Sequence, residues 1–330
     1  MKKKLIVHIG AGKTGSSAIQ KFLSLNCSVL AEHGVLIPGC KLDLESECLG
    51  EQIWFFQNGI GNNDFADSVQ RRLSRLHKHM CEHELHTLVV SAENLINPQE
   101  FEKLFLGLEG MFDITIVCYI RRQDDYMISA WQQWYLKAYD SFDDYRLKLG
   151  HRIDWHAALH PWKEKFGKDN VKVSVYEKES LVNGNVIDDF TQLLGLEITG
   201  MQPVVERINK SIDEKFNWIA NKYRKELFAD IHDNEFYLFL HYSFGDKAFK
   251  KYKGSSLLTL SQRKNILAMY AESNEKVVRD YTPDRKSTTL FREPTESDVY
   301  LTDQNCMEGE MDYLLVGMFG MYKRMRKSAA

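Results

Sequence analysis

Two hydrophobic periodicities alternate along this chain. Consecutive apolar, β-prone runs at residues 5–9, 87–91, 114–120 and 171–176 predict strands buried on both faces. Between them, apolar positions recur at helical spacing: Ala18, Ile19, Phe22 and Leu23; then Phe65, Val69, Leu73, Leu76 and Met80 over 65–83. Further helices are predicted over 98–110, after Ile120 (Tyr126, Ile128, Trp131, Trp134), over 154–166, and over 186–194 before Gly195. Residues 34–39 predict a short strand closed by a turn. Residues 41–61, with Asp43, Glu45, Glu47, Glu51 and Trp54-Phe55-Phe56, fit a substrate-side excursion or an irregular core segment. Beyond about residue 205 the pattern turns helical. One stripe there joins Phe216, Ile219, Ala220, Tyr223 and Leu227; a second helix, capped by Ser261, carries Ile266, Tyr270, Val277 and Tyr281.

Strands alternating with helices imply an α/β fold, a parallel sheet with helices on both faces. No repeat or low-complexity linker divides the 330 residues. The expectation is one domain, 1–330, with a parallel-sheet core over 1–200 and a mostly helical part over 201–330.

The first strand runs into Gly10-Ala11-Gly12-Lys13-Thr14-Gly15, with Ser16 and Ser17 as candidate caps of the helix that follows. A strand, a glycine loop and a helix N-terminus form an anion cradle: unpaired N–H groups face the ligand, and glycine lets it approach. This is not the Walker A pattern, in which Lys follows the loop's last glycine. Ser16 follows Gly15, and Gly12-Lys13-Thr14 would need a glycine where Val7 stands. The plain alternative is a glycine turn with a solvated lysine. Ligands of parallel α/β sheets bind beyond the strands' carboxyl ends, which selects two more places, Glu93 after residues 87–91 and Arg121 after residues 114–120. Ser129 stands eight residues beyond Arg121, nearly two turns into the next helix if that helix starts near Gln123. A guanidinium fork with a hydroxyl suits a phosphate monoester; the alternative pairs Arg121 and Arg122 with Asp124 and Asp125.

The loop K-T-G-S-S after a strand resembles the 5′-phosphosulfate loop of sulfotransferases that use 3′-phosphoadenosine 5′-phosphosulfate (PAPS). Arg121 with Ser129 is similar to that family's 3′-phosphate motif, with Arg122 and Gln123 in place of its Asn-Pro. Residues 166–177 and 190–196 look like the family's late strand and following helix. Asn209-Lys210-Ser211 and residues 272–281 are similar to bacterial members acting on glycans. The resemblance spans most of 1–282 and implies the P-loop-like sulfotransferase fold. It also implies sulfuryl transfer from PAPS to a hydroxyl or amine of a carbohydrate, leaving 3′-phosphoadenosine 5′-phosphate.

In that chemistry Lys13 stabilises the leaving phosphate. Gly12, Thr14, Gly15, Ser16 and Ser17 hold the 5′-phosphate, and Arg121 and Ser129 the 3′-phosphate. Glu93 is the first candidate for general base and Glu51 the second. The segment Glu51-Gln52-Ile53-Trp54-Phe55-Phe56 resembles the Glu-Ile-x-Phe-Phe segment that carries the base in heparan-type sulfotransferases, one residue out of register, with Gln52 in the glutamate's place. His8 and His33 rank third, and a His in a strand is more often a core residue. Candidates to close over the 3′-phosphate are Lys247, Lys250, Lys251 and Lys253, or Arg285 with Lys286. Trp54, Phe55, Phe56, Trp131 and Trp134 can stack on sugar rings or fill a core.

Charge and cysteines narrow the partners. A net charge of −3 gives no bulk attraction to nucleic acid, so an anion site must be local. Cys27, Cys40, Cys48, Cys81, Cys118 and Cys306 form no C-x-x-C pair, no His/Cys/Asp cluster shows ligand spacing, and no metal is required. The apolar run after Lys2-Lys3-Lys4 is too short for a signal peptide, and none suffices for a membrane span, so reduced thiols and a cytoplasmic place are expected. Two other classes share the fold: a P-loop kinase or phosphotransferase, with Glu93 imitating a Walker B acid, and a non-catalytic nucleotide-binding protein.

Overall fold

The computed structural model describes residues 2–149, 153–196, 200–204, 211–250, 254–282, 289–300 and 310–328. In chain order the regular elements are β1 (Lys3–Gly10), α1 (Ser16–Leu25), α2 (Cys27–Glu32), β2 (Val35–Leu36), α3 (Ile53–Gly59), α4 (Phe65–Glu82), β3 (Thr87–Ser91) and β4 (Phe112–Ile120). Next come α5 (Gln123–Gln133), α6 (Phe142–Leu149), α7 (Trp155–Phe166), β5 (Val171–Val175) and α8 (Val186–Leu194). The chain ends with α9 (Glu214–Lys222), α10 (Arg224–Leu227), α11 (Glu235–Phe244), α12 (Leu260–Met269), α13 (Ala271–Tyr281) and α14 (Glu310–Ser328).

The expected fold class holds: a parallel sheet of order β2-β3-β1-β4-β5, flanked by helices, with a helical C-terminal part. Central β1 pairs with β3 through Val7↔Val90 and with β4 through Val7↔Ile116. Strand order therefore reverses around β1, which opens a crevice at its carboxyl end. β1, β3 and β4 are apolar almost throughout because both faces are covered. On one face Ile6, Val89, Val117 and Tyr119 meet Ile19, Phe22 and Leu23 of α1 and Val186 and Phe190 of α8. Each such fully buried Leu or Phe contributes about 1.5–3 kcal/mol. α7 packs against β4 and β5.

The chain divides into two compact units. The first comprises Met1–Arg122, Arg152–Ile208 and Tyr270–Arg292, and holds the sheet with α1–α4, α7, α8 and α13. Within it, Asp280 of α13 accepts from His156 Nε2 (3.1 Å) and Lys163 Nζ (2.9 Å) of α7. Burial pulls the Asp280 carboxyl up, but hydrogen bonds from Lys163, His156 and Arg279 outweigh it and hold it well below the usual range. The second unit comprises Gln123–His151, Asn209–Met269 and Glu293–Ala330. Within it, buried Arg263 of α12 donates to Asp124 (2.5 Å) and Asp125 (3.0 Å) of α5.

Several expected elements differ. Over 98–110 the chain forms only a 3-10 turn, Phe101–Phe105. Glu100 (φ 55) and Gly107 (φ 77) are left-handed and bound it, and buried Phe101, Leu104 and Phe105 suit a three-residue period. The stripe 216–227 breaks at Tyr223 into α9 and α10, and the later helix breaks at Tyr270 into α12 and α13. Ser261 is not the cap of α12: Thr259 and Gln262 exchange side chain-to-backbone bonds (3.2 and 2.9 Å) in its place. Among the described residues, no helix is long and apolar enough to cross a membrane.

Candidate functional site

β1 ends where the segment leaving β3 lies close to it. Gly10 has φ 118, and a Cβ there would stand 2.6 Å from the Glu93 carbonyl oxygen, so only glycine fits. Ala92 N–H donates to His8 O (3.0 Å) and Ile96 N–H to Ile9 O (3.1 Å), fixing the β3 exit alongside the loop. Ala11 N–H donates to Tyr119 O (2.8 Å), tying the loop to β4. Thr14 Oγ1 donates inward to Ala11 O (2.5 Å), so the hydroxyl expected to help hold a phosphate locks the turn.

The helix start also differs from expectation. Gly15, left-handed at φ 85, is the N-cap of α1, and no side chain caps it. Ser16 is buried in the first turn, and its Oγ donates to Glu93 Oε2. Ser17, next to it, is half-buried. Ala18 N–H closes the first turn onto Gly15 O (2.9 Å), and the N-terminus of α1, uncapped by any side chain, presents its positive dipole end beside the loop.

Lys13 stands inside the loop, left-handed at φ 65. Arg121, just past β4, donates from Nη1 to Lys13 O (3.1 Å), lies 5.9 Å from the Tyr176 ring, and accepts at its own carbonyl from Trp155 Nε1 (2.8 Å). Burial and the nearby Arg121 charge push the Lys13 ammonium down to about 8, and Glu93 partly offsets them.

Glu51 reaches the same place through its neighbour. Gln52 N–H donates to Ser91 O (2.9 Å), and Gln52 Oε1 accepts from Ser91 N–H (2.9 Å), so residues 51–52 continue the β3 edge. Gln52 Nε2 faces the Pro38 and Gly39 carbonyls (3.3 and 3.4 Å). A carboxylate could not donate there, which accounts for glutamine at this position. Burial, then repulsion from Glu93, raises the half-buried Glu51 carboxyl above its ordinary value. Glu51 lines an open cavity of about 390 Å³ with Lys41, Trp54, Phe55, Asn58 and Asn62. The aromatic run divides: Phe56 is in the core, Phe55 is half-buried, and Trp54 is 58% exposed.

Lys13, Ser16, Glu51, Glu93 and Arg121 thus share the first unit, at the carboxyl ends of β1, β3 and β4. Ser129, half-buried on α5, belongs to the second unit. Asp124 and Asp125 pair with Arg263; Arg122 is buried, with Nη1 at 3.5 Å from Arg292 O. Lys250 is engaged internally with Glu214 (3.5 Å) and Gly254 O. Lys251, Lys253, Arg285, Lys286, Asn209, Lys210, Cys306 and the Lys247 side chain lie outside the described residues. His8 is a core residue: it shares a hydrogen bond with Ser91 Oγ (2.8 Å), and burial pushes its imidazole down to about 4. His33 is exposed and donates to Val29 O (2.9 Å). Trp131 packs in the second unit against Phe142 and Tyr145. The 272–281 segment clamps α13 to α7, with Ser273 Oγ donating to Asp154 (2.6 Å).

Gln52, Trp155 and Tyr176 were not anticipated as site supports. A glutamine amid the acids and aromatics of 45–56 was the one available signal.

The chain matches no family model. It is 27% identical over 214 residues to an uncharacterized protein of Archaeoglobus fulgidus, which covers 63% of this chain and 57% of that one. The chain therefore spans somewhat over half of that relative's length. Among solved structures it is similar to a sulfotransferase from Alicyclobacillus acidocaldarius, with TM-score 0.39, 14% identity, and coverage of 68% of this chain and 95% of that one.

Proposed function

We propose that this protein is a sulfotransferase that moves a sulfuryl group from PAPS to a carbohydrate hydroxyl or amine. The observation that carries the reading is the convergence of two cations, Lys13 and Arg121, with two carboxylates, Glu51 and Glu93, around a glycine loop at one helix N-terminus. The cations and loop amides suit a phosphosulfate. In the reaction an acceptor oxygen attacks sulfur in line, the sulfur–oxygen bond to the phosphate breaks, and the electron pair stays on the departing bridging oxygen. Lys13 opposes the charge developing there, a contribution of about 3–4 kcal/mol for a well-placed donor of this kind.

The acceptor proton goes to Glu51 in this reading. Its raised carboxyl suits a base better than an ordinary carboxylate, and it faces the cavity where exposed Trp54 offers a stacking face for a sugar. Glu93, bound to Ser16, acts as a positioning residue that orients the loop and balances Lys13.

The Ser16–Glu93 bond also favours a second reading, a magnesium-dependent phosphotransferase, because a hydroxyl and an acid so placed suit Mg²⁺. Calorimetric binding of 3′-phosphoadenosine 5′-phosphate without magnesium separates the two. The proposal expects tight binding that collapses in Arg121→Ala, and sulfuryl transfer from PAPS that survives a chelator. Better binding of ATP with magnesium would refute it in favour of the phosphotransferase.

A further inference from the structure

The last turn of α4 carries a group of side chains that the site above does not use. Met80 is buried beneath it, while His79, Glu82 and His83 occupy helical positions i, i+3 and i+4 on one face. One ligand atom from each of the three lies within 4.8 Å of the others, and the two imidazole centroids are 4.2 Å apart. Read along the sequence they form no ligand motif of the expected kind; the helix makes them a cluster.

The backbone beneath is fixed. Glu84 is left-handed at φ 58, Leu85 N–H donates back to Met80 O (2.9 Å), and His83 N–H donates to His79 O (3.0 Å). This closure holds the histidines in place relative to each other.

We propose that His79, Glu82 and His83 form a surface binding site for a borderline divalent transition ion, Zn²⁺ or its neighbours Ni²⁺ and Cu²⁺. Two imidazole nitrogens and a carboxylate oxygen make a donor set that zinc accepts, with the remaining positions open to water. Mg²⁺ and Ca²⁺ prefer all-oxygen shells and are poorly served here. The negative end of α4 adds attraction for a cation. Glu82 also meets Lys78 at 3.8 Å, an exposed pair that an ion readily displaces. Cys81 is not in the set: its thiol lies 3.9 Å from His77 Nε2.

The test uses the full chain without a histidine tag, stripped with a chelator and titrated with ZnCl₂ by calorimetry, alongside thermal melts with ZnCl₂ or MgCl₂. One saturable zinc per chain is expected, with a higher melting temperature in zinc and no change in magnesium. His79→Ala and His83→Ala should each weaken zinc by more than about tenfold, since loss of a mere supporting contact already costs that much; His77→Ala should leave it unchanged. If half-buried His79→Ala fails to fold, exposed His83→Gln carries the same comparison. Absence of saturable zinc binding overturns the proposal. So does binding that survives the histidine variants and disappears when the thiols are alkylated, which would place the ion on cysteine.

Discussion

Replacing Lys13 by arginine changes the pH dependence of the proposed reaction in a way that can be worked out in advance. Burial, with the Arg121 charge second, holds the Lys13 ammonium at about 8 in the free protein, so it is about nine-tenths protonated at pH 7 and about one-tenth at pH 9. Only the protonated form opposes charge on the leaving phosphate. The value of kcat/KM for PAPS should therefore fall roughly tenfold between pH 7 and pH 9, with a limb centred near 8, because that ratio reports the free enzyme. A guanidinium stays charged throughout this range, so Lys13→Arg should lower activity overall yet abolish the limb. The neighbours supply the internal check. Arg121→Ala removes repulsion and should move the limb upward, whereas Glu93→Gln removes attraction and should move it downward. The assay is transfer of labelled sulfate at subsaturating PAPS over pH 6–10. A limb that persists unchanged in Lys13→Arg, or that moves downward in Arg121→Ala, refutes the assignment of the lysine.

Three further outcomes follow from single contacts. Asp280→Asn should destabilise the first unit by about 1.5–3 kcal/mol, the worth of hydrogen bonds between charged groups. Because the folded Asp280 carboxyl is strongly depressed, this stability is fully present above the unfolded value near 4 and is lost progressively as pH falls below it and through the folded value; the gap between melts of wild type and variant should begin to narrow only below pH 4. Gly15→Ala places a Cβ 2.9 Å from Val186 Cγ1 at φ 85, and should cost about 1–2 kcal/mol in melts while weakening binding of the bisphosphate. Trp54→Ala removes a 58% exposed ring, so the melting temperature should hold while KM for a sugar acceptor rises at unchanged bisphosphate affinity; a rise in both constants would place Trp54 elsewhere in the reaction.

What could be read from the sequence followed from how local each feature is. Strands β1, β3 and β4 were legible because a strand covered on both faces is a continuous apolar run. The turn after β1 was legible because Gly10 and Gly15 answer a positive-φ demand within six residues. The helix expected over 98–110 failed because Phe101, Leu104 and Phe105 satisfy three-residue spacing as well as helical spacing, and Glu100 turns left-handed before them. Tyr223 and Tyr270 hid two breaks, since an aromatic residue keeps the apolar stripe going whether the helix continues or restarts.

The two acids show where local reasoning ends. Glu93 is the first candidate by sequence because it follows a strand, a property visible in the run 87–91, and in the fold it lies against the loop. Its partner is Ser16, 77 residues away, and nothing near either residue announces that bond. Glu51 ranked second because Gln52 stood where a glutamate was expected. In the fold Gln52 is a bracket: one amide side chain both donates and accepts, joining residues 38–39 to the β3 edge and carrying Glu51 to the crevice. The mismatch in register therefore marks a structural need at position 52, and the proposed base is the residue before it. With Glu93 bound to Ser16 and near Lys13, and Glu51 raised by its burial and by Glu93, the two acids stand in different environments, which in the proposed reaction makes one a positioning residue and the other the base. That division depends on contacts across the sheet, so it could be argued only once the strands were in order.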